Sequence, residues 1–335
     1  FNAQLKVSDN QGAVSIQNIT IYAGNNAATY NFNSPPDGGF FGWNESIAFD
    51  MVTSDVEDGN VDCNEVNLVP SLGHLNHFHD DLTINTCPKA LILDPLDHDT
   101  NGEMDIFYVL GVNFTDQGGL TAFDQIRLYP KRTEAEFYDA NEGVSLIPNN
   151  DPWSGGSEAI QVGHESYISF NGRDLFNINA LRFRTSSASI GGTIELRLDS
   201  IDGELITAAQ VPVTQSFENW VDFEVPIEDP GGKHDLFFVF KNNPGDFNMF
   251  HLNWIEFMGA GVSSGSSNPQ IESVEAVAPT IVEVVYQDPI DKNTAERLEN
   301  YTIDNGIEVL GAFLQPDDKT VYLSVTALSS GTNYT

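Results

Sequence analysis

Short alternating segments separated by turn residues constrain this chain more than any other feature. Ile194-Glu195-Leu196-Arg197-Leu198, Trp220-Val221-Asp222-Phe223-Glu224-Val225 and Thr320-Val321-Tyr322-Leu323-Ser324-Val325 each put apolar side chains on one face and polar ones on the other. That is the period of a half-buried strand. Asp202-Gly203, Pro230-Gly231-Gly232 and Asn305-Gly306 read as turns. Helical periodicity is nearly absent, and Thr294 to Leu298 offers a single helical turn at most. The pattern predicts an all-β chain of tandem β-sandwiches.

Length divides the chain further. At 335 residues with 40% hydrophobic content, two or three domains can each fill a core. Breaks fall at Tyr22 to Asn26, at Tyr129-Pro130-Lys131-Arg132 and at the Gly/Ser-rich run from Gly259 to Pro269. The expected organisation is a strand pair at 1–23, modules at 24–132, 133–260 and 269–335, and a linker at 261–268. Both ends read as cut from a longer polypeptide, so a catalytic domain outside the segment is compatible with everything within it.

Fourteen Lys and Arg stand against 49 Asp and Glu, a net charge of −35. Phosphate recognition needs clustered basic side chains, so nucleic-acid binding is excluded as an expectation. Anionic membrane surfaces are disfavoured, and no apolar run is long enough to span a bilayer. Excess carboxylate suits divalent cations or plain solubility.

Two cysteines, Cys63 and Cys87, lie in Gly-, Asn- and Asp-rich surroundings. They predict one disulfide in a secreted protein, with two buried thiols as the alternative. In Asp97-His98-Asp99-Thr100-Asn101-Gly102-Glu103-Met104-Asp105, oxygen-bearing side chains alternate at Asp97, Asp99 and Asn101. Gly102 permits a tight turn and Asp105 could close a short calcium loop. Tyr108 occupies the place where an EF-hand needs Glu, and a solvated turn is the other reading. His74, His77 and His79 form a second cluster. With Asp80 or Asp81 they could hold a transition metal, though a metal-free His-rich loop is the commoner outcome. No Gly-x-Ser-x-Gly, His-Glu-x-x-His or phosphate loop occurs, so no catalysis is expected within the segment.

The clearest signature runs from Gly191-Gly192-Thr193-Ile194-Glu195-Leu196 through Phe217-Glu218-Asn219-Trp220 and His234-Asp235-Leu236-Phe237-Phe238 to Phe250-His251-Leu252-Asn253-Trp254-Ile255-Glu256-Phe257. In that order these motifs resemble the family 6 carbohydrate-binding modules, across 133–260. The resemblance implies a lectin-type jelly-roll sandwich, a structural calcium and a sugar cleft on the loops at one end. Glu134 and Glu136 match the family's opening pair of acceptor side chains, and Asn253 matches its late Asp or Asn. Two residues apart on a strand, the two glutamates would share a face. Paired carboxylates there repel unless a cation separates them, the alternative being two solvated side chains on an edge strand. For the sugar cleft, His164 stands where a stacking ring is expected and Tyr167 matches the loop aromatic. Phe217 and Trp220 match the paired tryptophans, and His251 replaces a hydrogen-bonding Asn. Rings stack on pyranose faces and polar groups bond hydroxyls. The cleft is therefore expected either to survive these exchanges or to be vestigial.

Three weaker resemblances frame the module. Asp55-Val56-Glu57-Asp58-Gly59 resembles the acidic turns of cadherin-like repeats, which hold calcium through residues such as Asp55 and Asp58; a solvated Asp-Gly turn is the alternative. The opening strands and 24–132 resemble Ig-like or polycystic-kidney-disease-type repeats. The segment 269–335, ending Leu328 to Thr335, resembles bacterial Ig-like domains. Such arrays resemble Bacteroidetes-type exoproteins, some joined to sugar-oxidising or glycoside-active enzymes. The whole is expected to be an extracellular or cell-surface polysaccharide-binding and spacer region, with neighbouring modules or copies of itself as further partners.

Overall fold

The computed structural model describes residues 2–20, 23–74, 77–80, 83–95, 102–152, 156–263, 271–286, 290, 295–315, 317, 319–332 and 334. It is all-β, as the alternation predicts. In Gly192–Leu198, Ile194, Leu196 and Leu198 are buried, while Glu195 and Arg197 pair with each other at 2.9 Å on the opposite face. In Thr320–Val325, Val321, Leu323 and Val325 point into the core. Near the expected helical turn, Leu298–Asn300 forms a 3-10 turn, and Thr294 lies outside the described residues. Among the described residues no helix is long and apolar enough to cross a membrane.

The opening strands Asn2–Ser8 and Val14–Thr20 form an exposed hairpin. Its turn is held by Asp9, whose Oδ1 accepts from the backbone N–H groups of Gln11 and Ala13. The first module is built on a five-stranded sheet in the order Phe40–Phe41, Thr121–Pro130, Ile106–Thr115, Asn67–His74, His77–Asp80. Three-stranded and two-stranded sheets accompany it. Leu72, Leu110, Val112 and Leu128 are in its core.

The disulfide Cys63–Cys87 is formed. Closing a loop of this length removes about 3 kcal/mol of freedom from the unfolded chain. Replacing both cysteines by serine should lower the first module's stability by about that amount. Denaturant midpoints of the two proteins check this, and equal midpoints would contradict it.

The second module is a two-sheet sandwich. One sheet runs Ser145–Pro148, Glu158–Val162, Phe250–Gly259, Ile178–Ser187, Ser216–Pro226, with Arg132–Glu134 also paired to Phe250–Gly259. The other runs Ala140–Glu142, Tyr167–Asp174, Lys233–Lys241, Gly192–Leu198, Leu205–Val211. Phe183, Phe238, Phe240, Phe250 and Phe257 fill the space between. The last module is a four-stranded sheet, Ile271–Ala278, Ile281–Tyr286, Thr320–Val325, Val309–Leu314.

The first two modules are joined more closely than the sequence breaks imply. Phe40 leaves the first module and stacks on Phe257 of the second, ring centres 3.9 Å apart. Val262 returns the exchange by entering the first module's core. Arg173 of the second module lies 3.3 Å over the Tyr129 ring. Lys233 pairs with Asp37, and Lys131 pairs with Glu45 at 2.8 Å. Between them Gly38 (φ +92°) passes so near the Gly172 carbonyl that a Cβ would meet it at 2.5 Å. Only glycine tolerates both that conformation and that approach. Val262 and Ser263, expected in a linker at 261–268, are therefore buried parts of this junction. The expectation failed there because Gly259-Ala260-Gly261 serves close packing rather than flexibility. The last module touches the second through Arg297, which pairs with Asp222 at 2.9 Å and faces the Trp254 ring.

Candidate carbohydrate-binding face and cation site

Phe217 and His251 lie near the starts of two strands that flank Ile178–Ser187. Serines bridge the gap: Ser186 Oγ donates to the Phe217 carbonyl at 3.0 Å and Ser187 Oγ to the Met249 carbonyl at 2.8 Å. The two rings stack, centres 4.1 Å apart and planes within 14°. Trp220 stands beside them, 6.3 Å from His251, its Nε1 donating to Asn150 Oδ1 at 2.8 Å. Alternation explains its position: Phe223 and Val225 face the core side, which turns Trp220 to the outer face.

Burial pushes the His251 pKa down to about 4, so the ring is neutral near pH 7. Its Nε2 lies 3.1 Å from Asn248 Oδ1, the oxygen that accepts from it. A histidine held neutral makes the fold bind fewer protons than the unfolded chain between about pH 4 and 6.5. Its contribution to stability is present above that window and is lost as pH falls through it. His251→Phe should flatten melting temperature against pH between those values, and an unchanged profile would contradict this assignment.

The loop before Phe250 adds groups that strand periodicity does not reveal. Phe247 is 82% exposed, and a Cβ on Gly163 would lie 3.5 Å from its Cα. Asn248, which follows it, bonds His251, and Asn150 bonds Trp220. The available signal was an aromatic residue directly after the turn-forming run Asn242-Asn243-Pro244-Gly245-Asp246, where no core position calls for one.

A second arrangement lies on the same sheet near its other partner strand. Glu134 ends the strand Arg132–Glu134, and Ala135–Phe137 winds into a 3-10 turn, so Glu134 and Glu136 are not on a continuous strand. They converge all the same. Glu134, 4% exposed, accepts from Arg132 through Oε1 at 3.0 and 3.2 Å. Its Oε2 and that of Glu136 are buried without a hydrogen-bond partner among the described residues. Burial first, then neighbouring carboxylates, push Glu136 up to about 8; burial, opposed by Arg132, pushes Glu134 up to about 7. Glycines line the space: a Cβ on Gly156 would lie 3.2 Å from Glu136 Oε1, and one on Gly102 would lie 2.7 Å from Glu134 Oε1. Orphaned hard oxygens in such a cradle fit a calcium ion. Among the described residues no group of three His, Cys, Asp or Glu side chains is placed to hold a metal, so backbone carbonyls would have to complete the shell.

Residues 134–259 match the family described as carbohydrate binding module (family 6). This segment is a family 6 carbohydrate-binding module. An arabinoxylan arabinofuranohydrolase of Bacillus subtilis (strain 168) is 29% identical over 142 residues, which is 42% of this chain and 27% of that protein. A second, from Paenibacillus polymyxa, is 30% identical over 148 residues, 42% of this chain and 23% of that protein. The chain thus spans about a quarter of the length of these curated relatives. A family 6 module from Clostridium cellulolyticum, solved with xylose, is 33% identical and covers 38% of this chain and 95% of its own, with a TM-score of 0.34. A β-1,3-glucan-binding module from Bacillus halodurans is 27% identical over the same shares, with a TM-score of 0.36.

Within the carbohydrate-binding module the structure separates residues that the sequence grouped. His164 Nδ1 accepts from the backbone N–H of Asn242 at 3.0 Å, and its side chain is 15% exposed. The ring braces the 242–248 loop instead of standing open to a ligand. Ile168 and Phe170 point into the core, which turns Tyr167 to the outer face of the opposite sheet, against Phe237. Asn253 sits where the pairing of Phe250–Gly259 with Ile178–Ser187 slips by one residue, a bulge that re-aims side chains. Its Oδ1 accepts from Asn149 at 3.3 Å and its Nδ2 donates to Asp151 at 3.0 Å. Asp151 in turn holds Arg184 through both oxygens at 2.7 and 2.8 Å.

In the first module, Asp97, Asp99 and Asn101 lie outside the described residues. Asp105 faces the carbohydrate-binding module, near Arg173 and Asp139, and burial pushes it up to about 6. Asp55 Oδ1 accepts from the N–H groups of Glu57 and Asp58, and Asp58 Oδ2 from that of Gln117. Those carboxylates cap backbone turns, far along the chain from Glu134. His74 and His79 bring their Nε2 atoms to 3.1 Å. His77 pairs with His74 in the strand register, and its side chain lies outside the described residues.

Proposed function

We propose that the chain is a non-catalytic, calcium-stabilised polysaccharide-binding and spacer region of a larger secreted or cell-surface protein. The stacked Phe217–His251 pair beside Trp220 carries this reading. One face of Phe217 rests on His251, which leaves its other face to lie along the apolar side of a pyranose, with Asn150 and Asn248 near enough to bond hydroxyls. The relatives named for arabinoxylan and the module solved with xylose make β-linked xylan the first ligand to try, with β-1,3-glucan second. By the same likeness, the attached activity would be a glycoside hydrolase lying outside this segment.

A second reading, an adhesin or filament spacer with a vestigial cleft, is favoured by His164, whose ring braces a loop. Depletion of the chain from solution by insoluble arabinoxylan, xylan and β-1,3-glucan separates the two. Retention on at least one supports binding. Absence of retention on all three, together with self-association in sedimentation, would favour the spacer.

A further inference from the structure

The described end of the acidic run at 97–105, residues 102–105, lies against the carbohydrate-binding module. Gly102 belongs to the first module and has φ +91°. Its carbonyl oxygen and Glu136 Oε1 lie 3.1 and 3.2 Å from the single point a Cβ on Gly156 would occupy. Its own Cβ position is filled by the Glu134 carboxylate, 2.7 Å away. Three acceptor groups from two modules therefore converge, and two of the carboxylate oxygens find no donor among the described residues. Acceptors alone repel, so once these carboxylates are ionised a cation makes such a meeting favourable. Charge agrees: Glu103 is close enough to be felt by both glutamates. Arg132 pairs with Glu134 at 3.0 Å. The far end of the loop is anchored on the same module, Asp105 lying near Arg173 and Asp139.

We propose that the ion held by Glu134 and Glu136 is an intermodular staple, with the Gly102 carbonyl as the first module's ligand, so that calcium fixes the first module to the carbohydrate-binding module. This rests on the calcium reading above, and the test keeps the two apart. Hydrogen exchange of the full chain is measured across a calcium titration, alongside the calcium affinity of Gly102→Ala and Glu136→Gln. The expected result is slower amide exchange at 102–107 and at 134–137 with one shared calcium midpoint. Gly102→Ala should weaken calcium binding at least tenfold and Glu136→Gln should abolish it. Protection at 134–137 without any at 102–107 would overturn the staple and leave the calcium site standing. No calcium binding by the wild-type chain would overturn both. The exchange experiment uses the unaltered chain, so it decides the matter even if Gly102→Ala fails to fold.

Discussion

Chelating calcium is expected to lower the melting temperature of the carbohydrate-binding module by roughly 10 °C. A ligand bound only by the folded state, present at a thousand times its dissociation constant, stabilises by about 4 kcal/mol. For a unit of this size each kcal/mol moves the midpoint by about 2–4 °C. The direction follows from the site. Without the ion, two carboxylates are buried beside each other, and the fold holds protons on them up to about pH 7 and 8. Groups whose folded pKa is raised contribute stability at low pH and lose it as pH climbs from the unfolded value of 4.5 through the folded one. The calcium-free chain should therefore weaken between pH 5 and 8. Calcium reverses this, since it needs the deprotonated carboxylates. Its stabilising effect should be larger at pH 8 than at pH 6. Scanning calorimetry with and without chelator at both values checks this, and Glu134→Gln with Glu136→Gln should remove the calcium response. A melting temperature indifferent to chelator at both values would contradict the site.

The second large effect concerns the ring pair. Phe217→Ala should cut glycan affinity by at least about 30-fold, the loss typical of a central aromatic anchor. His251→Ala should act in the same direction by removing the ring on which Phe217 rests. Trp220→Ala removes both a ring and the donor that fixes Asn150. Tyr167→Ala serves as the contrast, because Tyr167 occupies the outer face of the opposite sheet beside Phe237. Its loss should leave affinity within about twofold, the range of an uninvolved surface change. Equal losses from Tyr167→Ala and Phe217→Ala would mean that the binding face lies elsewhere.

Strand and turn content was legible because alternation is a local signal. Gly192–Leu198 buries three apolar residues and pairs its two charged ones, as its letters suggest. The Cys63–Cys87 bond was likewise within reach of spacing and composition. Long-range placement was less accessible. Phe217, Trp220 and His251 do come together, yet His164 and Tyr167, which the family resemblance grouped with them, are taken away by a loop hydrogen bond and by strand parity. Phe247 was missed because an exposed aromatic in a turn has no periodic partner to announce it. For the acidic run at 97–105, nothing local tells that its described end, 102–105, faces a neighbouring module. Gly259-Ala260-Gly261 misled in the same way: small residues that signal flexibility in isolation also permit close packing, as the burial of Val262 and Ser263 shows.

Isothermal titration of the calcium-loaded full chain with xylo-oligosaccharides, for wild type and Phe217→Ala, tests the central claim most directly. The predicted result is saturable binding by wild type and at least about 30-fold weaker binding by the variant, with melting temperature preserved. Wild-type binding undiminished in Phe217→Ala would contradict the assigned face. Absence of wild-type binding to these sugars, to arabinoxylan and to β-1,3-glucan would contradict the proposed polysaccharide binding.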